Sequence, residues 1–212
     1  MRVLALAAVG ILSCRSVGQA QRGSSDPNLE PLDPTGRISY FIADEIPHSG
    51  YRPGDDDLAT WALQEWERAS HGTIHFERTL DEAESLLRLF FLNPGPAKIG
   101  TSQRFMSMRR VRAMVTVRAN VEVLVEPLGT LVKKDSLLRD TIVYLTCLHE
   151  IGHALGLPHS SSQDDVMGEG EVASNPARFQ RYRRALKTRA DIATTQWLSP
   201  RDVARLNSLY SR

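Results

Sequence analysis

Residues 149–159 read HEIGHALGLPH, and this stretch decides how the rest of the chain is interpreted. His149 and His153 are four residues apart, so on a helix both imidazoles lie on one face and can share one metal ion. Gly156 is typical of a residue that ends a helix in a left-handed turn, and such a turn would bring His159 to the same ion. Three neutral ligands and one open position describe catalytic zinc, whereas structural zinc is normally closed by four protein ligands, often cysteines.

Glu150 has a different predicted role. It lies one residue round the helix from His149, too far round to be a ligand of the same kind, but it can reach a water at the open position of the ion. Cys147 is the one cysteine near the motif, and its strongly apolar surroundings indicate a buried small hydrophobic residue. The residues therefore predict one catalytic Zn²⁺ held by histidines, with Glu150 as the base.

Three helices are predicted around this motif. Residues 137–155 are apolar with helical spacing, which predicts a largely buried helix that carries the motif. Residues 55–57 are three aspartates at the start of an amphipathic pattern, where a helix favours negative charge. A closing helix is predicted from Ser199 and Pro200 to Tyr210, because serine caps a helix and proline suits its first turn. The apolar face of the first helix is formed by Leu58, Trp61, Ala62, Trp66 and Ala69.

Shorter apolar runs predict strands. They lie at residues 38–43, 74–76 and 84–92. Residues 111–125 alternate between apolar and polar side chains, which predicts one long half-buried strand or a hairpin that breaks near Asn120. Residues 93–100 contain two prolines and two glycines and are predicted to form a loop.

The motif, followed by Met167 in DDVMGEG, resembles the metzincin signature of a zinc helix and a Met-turn, and GHALGLPHS…DVM is most similar to the matrixin branch. Residues 57–79 resemble the first helix and second strand of that branch, and residues 198–210 resemble its closing helix. The resemblance covers most of residues 37–212. It implies an α+β, metzincin-type zincin fold: a twisted, mostly parallel mixed sheet packed on two long helices, with a cleft across the domain and a C-terminal helix.

The resemblance also implies an activity, that of a zinc-dependent endopeptidase acting on proteins or peptides. Zinc would polarise the scissile carbonyl and activate a water, and Glu150 would pass the proton of that water to the leaving amine. Met167 would form the apolar floor beneath the zinc and would not be a ligand. An edge strand would bind the substrate antiparallel, and residues 111–125 are the natural candidate for it.

The chain also departs from the matrixin pattern. Residues 93–111 contain no histidine, so we expect no second, structural zinc, and nothing in the sequence supports a calcium site. There is no cysteine-bearing propeptide, so latency through a thiolate on the metal is not available. Thirty residues, 168–197, separate Met167 from Leu198, more than matrixins usually have. This insert either shapes a pocket for acidic substrates or forms a solvated helix face, and we favour the second; its basic residues are Arg178, Arg181, Arg183, Arg184, Lys187 and Arg189.

The start of the chain predicts export. Met1 and Arg2 precede an uncharged run at residues 3–12, which is too short to span a bilayer but suits a secretory signal. We predict a signal peptide at residues 1–20; the alternatives are a lipoprotein signal ending before Cys14, which would carry a lipid anchor, and a buried N-terminal helix or strand. Residues 21–36 would be an exposed linker and residues 37–212 the catalytic domain. The protein would be secreted or held in the cell envelope, periplasmic or extracellular.

Composition sets further limits on partners. The formal net charge of +1 gives no reason to expect nucleic acid or an anionic membrane as a partner, and no stretch is apolar for long enough to span a membrane. We expect a monomer whose partner is its protein or peptide substrate. The alternative function is a catalytically weak, zinc-stabilised binding module of the envelope, which the intact Glu150 argues against. The remaining histidines, His48, His71 and His75, are expected to be surface or strand residues.

Overall fold

The computed structural model describes residues 30–95, 98–169 and 176–211, which contain five strands followed for the most part by six α-helices. The strands are β1 (Arg37–Ile42), β2 (His75–Arg78), β3 (Leu87–Phe91), β4 (Gly100–Ser107) and β5 (Arg110–Val117). The helices are α1 (Asp55–Ala69), α2 (Leu128–Lys134), α3 (Ser136–Leu155), α4 (Pro176–Arg184), α5 (Asp191–Thr194) and α6 (Pro200–Tyr210).

The strands form one sheet in the order β2-β1-β3-β5-β4. β1 pairs parallel with β2 and β3, β3 pairs parallel with β5, and β4 alone runs antiparallel, along β5. The inner strands β1 and β3 alternate buried and partly exposed residues, as expected for strands packed on a helical layer. The predicted fold class, α+β with a mostly parallel mixed sheet, two long helices and a C-terminal helix, is confirmed.

The two long helices, α1 and α3, pack against each other and against the sheet. Trp66 of α1 is fully buried, and its indole nitrogen donates a hydrogen bond to the carbonyl of Leu148 in α3 (2.8 Å). α3 begins at the N-cap Asp135, whose carboxylate accepts from the backbone N–H of Leu138 (3.0 Å). It ends at Gly156, whose φ of 109° is the left-handed conformation predicted for that residue.

A buried ion pair joins the starts of these two helices. Arg139 of α3 and Asp55 of α1 are 1% and 2% exposed at their side chains, and Arg139 Nη2 lies 2.7 Å from Asp55 Oδ2. The same guanidinium donates to the carbonyls of Ala119 (3.0 Å) and Gly50 (3.3 Å). The guanidinium therefore donates to the carboxylate and to two backbone carbonyls, and these contacts compensate its buried charge. The pair fixes the start of α3 against the start of α1.

The prediction for residues 111–125 is wrong in its second half. β5 ends at Val117, and a short 3₁₀ turn follows at Val121–Val123. Val123 and Val125 are 61% and 67% exposed, so their alternation does not mark a buried face. The residue at the break, Arg118, turns its guanidinium away to donate to the carbonyl of Lys98 (2.8 Å).

The edge strand was also misassigned. β5 lies inside the sheet between β3 and β4. The edge strands are β2 and β4, and the sequence pattern did not predict β4. β4 is mostly half-exposed and carries polar residues at most positions, in the sequence GTSQRFMS. An edge strand that lacks a fully buried face does not show the apolar alternation from which strands are predicted.

The insert is a solvated helix face only in part. Its helix α4 buries Phe179 completely, and Trp197 is 4% exposed. Arg183 is paired with Asp135 and Arg189 with Asp140, at 2.8 and 3.1 Å, so these arginines anchor the insert to α3. The preference for a solvated face therefore holds for Arg181, Arg184 and Lys187, which are exposed, and not for Arg183 and Arg189. The partners of the latter two could not be predicted, because they lie some fifty residues away in sequence.

The predicted signal peptide at residues 1–20 and Cys14 lie outside the described residues. Residues 30–36, part of the predicted linker, are described; Leu32 is 3% exposed and its N–H donates to the hydroxyl of Tyr210 (3.0 Å). That part of the segment is packed on the domain and is not the exposed linker that its composition predicts. Within the described ranges no helix is both long and apolar enough to cross a membrane.

Candidate active site

Three histidines from α3 and the segment after it meet at one point. His149 and His153 lie one turn apart on α3, and the left-handed turn at Gly156 returns the chain so that His159 faces them. The Nε2 atom of His153 lies 3.1 Å from that of His149 and 3.0 Å from that of His159, and the third distance is 3.3 Å. The structure therefore brings together the three residues that the sequence selects.

The other ring nitrogens show which nitrogen carries the proton. His149 Nδ1 lies 2.8 Å from the carbonyl oxygen of Val166, and His153 Nδ1 lies 2.8 Å from that of Leu157. A carbonyl can only accept, so each Nδ1 donates and each Nε2 of the neutral ring presents a lone pair. Two lone pairs directed at one point repel each other unless a cation lies between them.

The donor set fits zinc. For Zn–N distances of about 2.0–2.1 Å, a tetrahedral site has nitrogens about 3.3–3.4 Å apart, close to the spacing of the three Nε2 atoms. Burial lowers the pKa of His149 to about 3, with a further contribution from His153, and burial also lowers the pKa of His153. Both imidazoles are therefore held in the neutral form that binds metal.

Glu150 lies beside the first residue of β4. A β-carbon added to Gly100 would come within 2.7 Å of both Cγ and Oε1 of Glu150, so the backbone of Gly100 lies directly against this side chain. Glu150 is 8% exposed, and burial raises the pKa of its carboxyl to about 7 although Lys98 acts in the opposite direction. A carboxylate with a pKa near neutrality is suited to accept and release a proton.

Met167 lies against the motif helix. Its side chain is fully buried, and a β-carbon at Gly152 would overlap its sulfur and come within 2.8 Å of Cζ2 of Trp66. Gly152, between the two helical histidines, is therefore the residue that lets Met167 and Trp66 approach α3. The role of this glycine was not predicted, although its place inside a helix, where glycine is unfavourable, was a signal for it.

The Met-turn, residues 165–168, is held by two buried carboxylates. Asp202 of α6 is fully buried and accepts from the N–H groups of Val166 (2.8 Å) and Met167 (3.3 Å). Asp165 accepts from the hydroxyls of Ser160 and Ser199, the latter at 2.7 Å. Sequence reasoning missed both residues, and the one signal for Asp202 was its third place in a helix with a predicted serine cap.

The other histidines are not at this site. His75 Nδ1 lies 2.8 Å from Glu67 Oε1 on an exposed part of α1 and β2, and His48 and His71 are exposed. Among the described residues, His149, His153 and His159 form the single cluster whose ligand atoms could share a metal ion.

Comparison with known proteins gives one informative result. A family model described as matrixin, a peptidase family, matches residues 35–181, well over half of the chain. In structure, the chain is similar to archaemetzincin from Methanopyrus kandleri, with 14% identity, a TM-score of 0.41, and coverage of 87% of this chain and 100% of that one. No curated protein sequence shows a significant match.

Proposed function

The chain belongs to the matrixin family of zinc peptidases, and on that premise we propose that it is a zinc-dependent endopeptidase with Glu150 as its catalytic base. His149, His153 and His159 would be the three protein ligands of a single catalytic zinc ion. Met167 would support the ligands from below without binding the metal.

The observation that carries the proposal is the convergence of the three Nε2 atoms at 3.0–3.3 Å. For His149 and His153, Nδ1 donates to a backbone carbonyl, so Nε2 presents a lone pair, and converging lone pairs favour a bound cation. The cluster among the described residues has three histidines and no fourth protein ligand, which would leave one position for water or substrate, as in a catalytic site and not a structural one.

Glu150 would carry the proton in the reaction. When bound, the ion supplies Lewis acidity, which lowers the pKa of a coordinated water toward 7 and polarises a carbonyl oxygen. The Glu150 carboxylate would accept the proton of the attacking water and deliver it to the leaving amine. Burial of this side chain raises its pKa to about 7, and the positive charge of a bound ion would lower it, which favours the carboxylate form that accepts the proton.

The substrate would lie along β4. This strand is at the edge of the sheet: one side pairs with β5, and none of the other described strands pairs with the opposite side. We propose that an added strand binds there. Gly100, its first residue, contacts Glu150, so a peptide bound to that side would pass close to the base. Backbone hydrogen bonds of this kind recognise an extended peptide with little dependence on its sequence, and we propose that the peptide runs antiparallel to β4.

The test is cleavage of a diverse peptide mixture by the purified full chain and three variants. Glu150→Gln should lower kcat by at least about 10²-fold and keep one zinc per chain, because the amide cannot accept the proton. His153→Ala should lose both zinc and cleavage. Glu84→Gln, in an exposed turn, is the matched control and should resemble wild type. Cleavage by Glu150→Gln at the wild-type rate would refute the assigned base, and zinc binding without any cleavage by wild type would favour the binding-module alternative.

We also propose that the protein is exported through its N-terminal segment, to the envelope or the medium. The support is the charge-free run at residues 3–12 after Met1 and Arg2. Mass spectrometry of the mature N-terminus distinguishes cleavage after Ala20 from lipidation at Cys14. A mature protein that keeps Met1 would contradict both forms of processing.

A further inference from the structure

The carbonyl oxygen of Val166 accepts two hydrogen bonds. One comes from Nδ1 of His149 (2.8 Å), and the other comes from Nη2 of Arg178 (3.1 Å), which also donates to the carbonyl of Asp165 (2.9 Å). A side chain of the insert therefore contacts the same backbone atom that orients the first histidine of the motif. The carboxylate of Asp202 accepts a hydrogen bond from the backbone N–H of the same residue, Val166.

The helix that carries Arg178 is itself well fixed. Phe179, the next residue, is fully buried. Arg183 is bound through Nε to both carboxylate oxygens of Asp135, the N-cap of α3, at 2.8 and 3.1 Å. Tyr182 packs on Trp197, with the ring centres 5.4 Å apart, and Trp197 packs on Tyr144 of α3 at 5.2 Å. Arg178 is thus presented to the Met-turn by a helix that is anchored independently to α3.

We propose that Arg178 is a positioning residue of the metal site, which holds the Val166 carbonyl where it accepts the Nδ1–H of His149. This inference rests on the proposed role of His149 as a zinc ligand. Groups that hydrogen-bond to the partner of a ligating histidine fix its tautomer and ring orientation, and their loss commonly lowers metal affinity 10- to 100-fold. The insert would then help to position a ligand of the metal. This role differs from both alternatives considered from the sequence, a substrate pocket and a solvated helix face.

The neighbouring arginine provides a matched comparison. Arg181, one turn along α4, pairs with Asp164 at 2.6 Å, and both side chains are exposed, at 52% and 81%. It carries the same charge on the same helix. If zinc binding depended only on the positive charge of α4, substitution of either arginine should weaken it to a similar extent. Of the two, Arg178 donates to the Val166 carbonyl, so an effect through that contact should appear in the Arg178 variant.

The experiment measures zinc affinity by competition with a chromophoric chelator in the full chain and three variants. Arg178→Met keeps the aliphatic stem without its donors and should weaken zinc binding about 10-fold. Arg178→Lys retains a donor and should restore part of this loss, and Arg181→Met should bind zinc like wild type. The visible spectrum of the cobalt-substituted protein provides a second readout, because it responds to ligand geometry; it should change in Arg178→Met and not in Arg181→Met.

The melting temperatures of the metal-free proteins distinguish an effect on the position of His149 from a general loss of fold stability. A metal-free Arg178→Met that melts like metal-free Arg181→Met but binds zinc more weakly supports the inference. Wild-type zinc affinity and an unchanged cobalt spectrum in Arg178→Met would overturn it and leave the proposed peptidase function intact. If the wild-type chain bound no zinc at this site, both proposals would fail together.

Discussion

Gly100 lies against Glu150 so closely that no side chain fits between them. A β-carbon at Gly100 would lie 2.7 Å from Oε1 of Glu150 and 2.6 Å from Cγ2 of Thr146, closer than β-carbons approach other atoms in proteins. The first residue of the edge strand and the residue after the first histidine are therefore in direct contact. This contact joins the strand proposed to bind substrate to the residue proposed to transfer the proton.

From this contact we predict that Gly100→Ala lowers kcat. The added methyl group must displace the Glu150 side chain, and a shift of about 1 Å in a catalytic group costs up to about 10²-fold in rate. Zinc content should be unchanged, because the methyl group is directed at Glu150 and Thr146. Steady-state kinetics and metal analysis of the purified variant measure both quantities.

Gly72→Ala is the control for a glycine-to-alanine change. Its φ of 89° makes a side chain unfavourable by about 1 kcal/mol, but no atom lies within 4 Å of the added carbon. This variant should be slightly less stable and fully active. Equal losses of kcat in the two variants would show that strain in the fold, and not the position of Glu150, explains the effect.

Loss of the Asp202 carboxylate should loosen the Met-turn. Asp202→Ala leaves the buried N–H groups of Val166 and Met167 without their acceptor, which costs about 3 kcal/mol of unfolding free energy. Denaturant unfolding followed by tryptophan fluorescence measures this loss. Asp164→Ala, at an exposed carboxylate, is the control and should unfold like wild type. A similar stability of the two variants would contradict the role given to Asp202.

Breaking the buried ion pair should destabilise the domain strongly. Arg139→Met leaves the Asp55 carboxylate buried without its partner, and such a loss costs about 3–5 kcal/mol. Arg37→Met, which breaks an exposed pair with Glu77, should change the unfolding free energy little. Urea denaturation of both variants gives the comparison. Similar midpoints for the two would show that the carboxylate of Asp55 finds water or another donor.

Zinc should stabilise the folded chain against heat. At a free zinc concentration of 100 times the Kd, binding contributes about 2.7 kcal/mol, which corresponds to a rise in Tm of roughly 5–10 °C for a domain of this size. Differential scanning fluorimetry of the chelator-treated protein, with and without added zinc, measures the rise. Magnesium should have little effect, because it prefers oxygen ligands. A rise of the same size in His153→Ala would place the zinc elsewhere.

The elements that the sequence predicts well are those with local signals. Helix α3 combines an apolar repeat with a glycine at its end, and the left-handed turn at Gly156 follows from that residue alone. The spacing of His149 and His153 then places their rings on one face, because a helix repeats every 3.6 residues, and the turn at Gly156 returns His159 to them. These features need no knowledge of distant parts of the chain.

The errors concern features that depend on distant partners. Val123 and Val125 continue the alternation of apolar side chains seen in β5. The strand nevertheless ends at Val117, which pairs with Phe91, the last residue of β3. β4 was missed because its position at the edge is set by β5 and not by its own composition. Arg178 and Arg183 were assigned to a solvated face because their acceptors, at residues 165, 166 and 135, cannot be identified from the neighbouring sequence.

The hydrogen bonds from the Met-turn to Asp202 have a consequence for how the protein is made. The three histidines and Met167 all precede Asp202, so a chain still emerging from the ribosome contains every proposed ligand before it contains the carboxylate that holds their support. The N–H groups of Val166 and Met167 gain their acceptor only after α6 has formed. Synthesis in this order would delay the proposed peptidase activity until α6 has been made, which would limit the time in which a partly made chain could cut its surroundings.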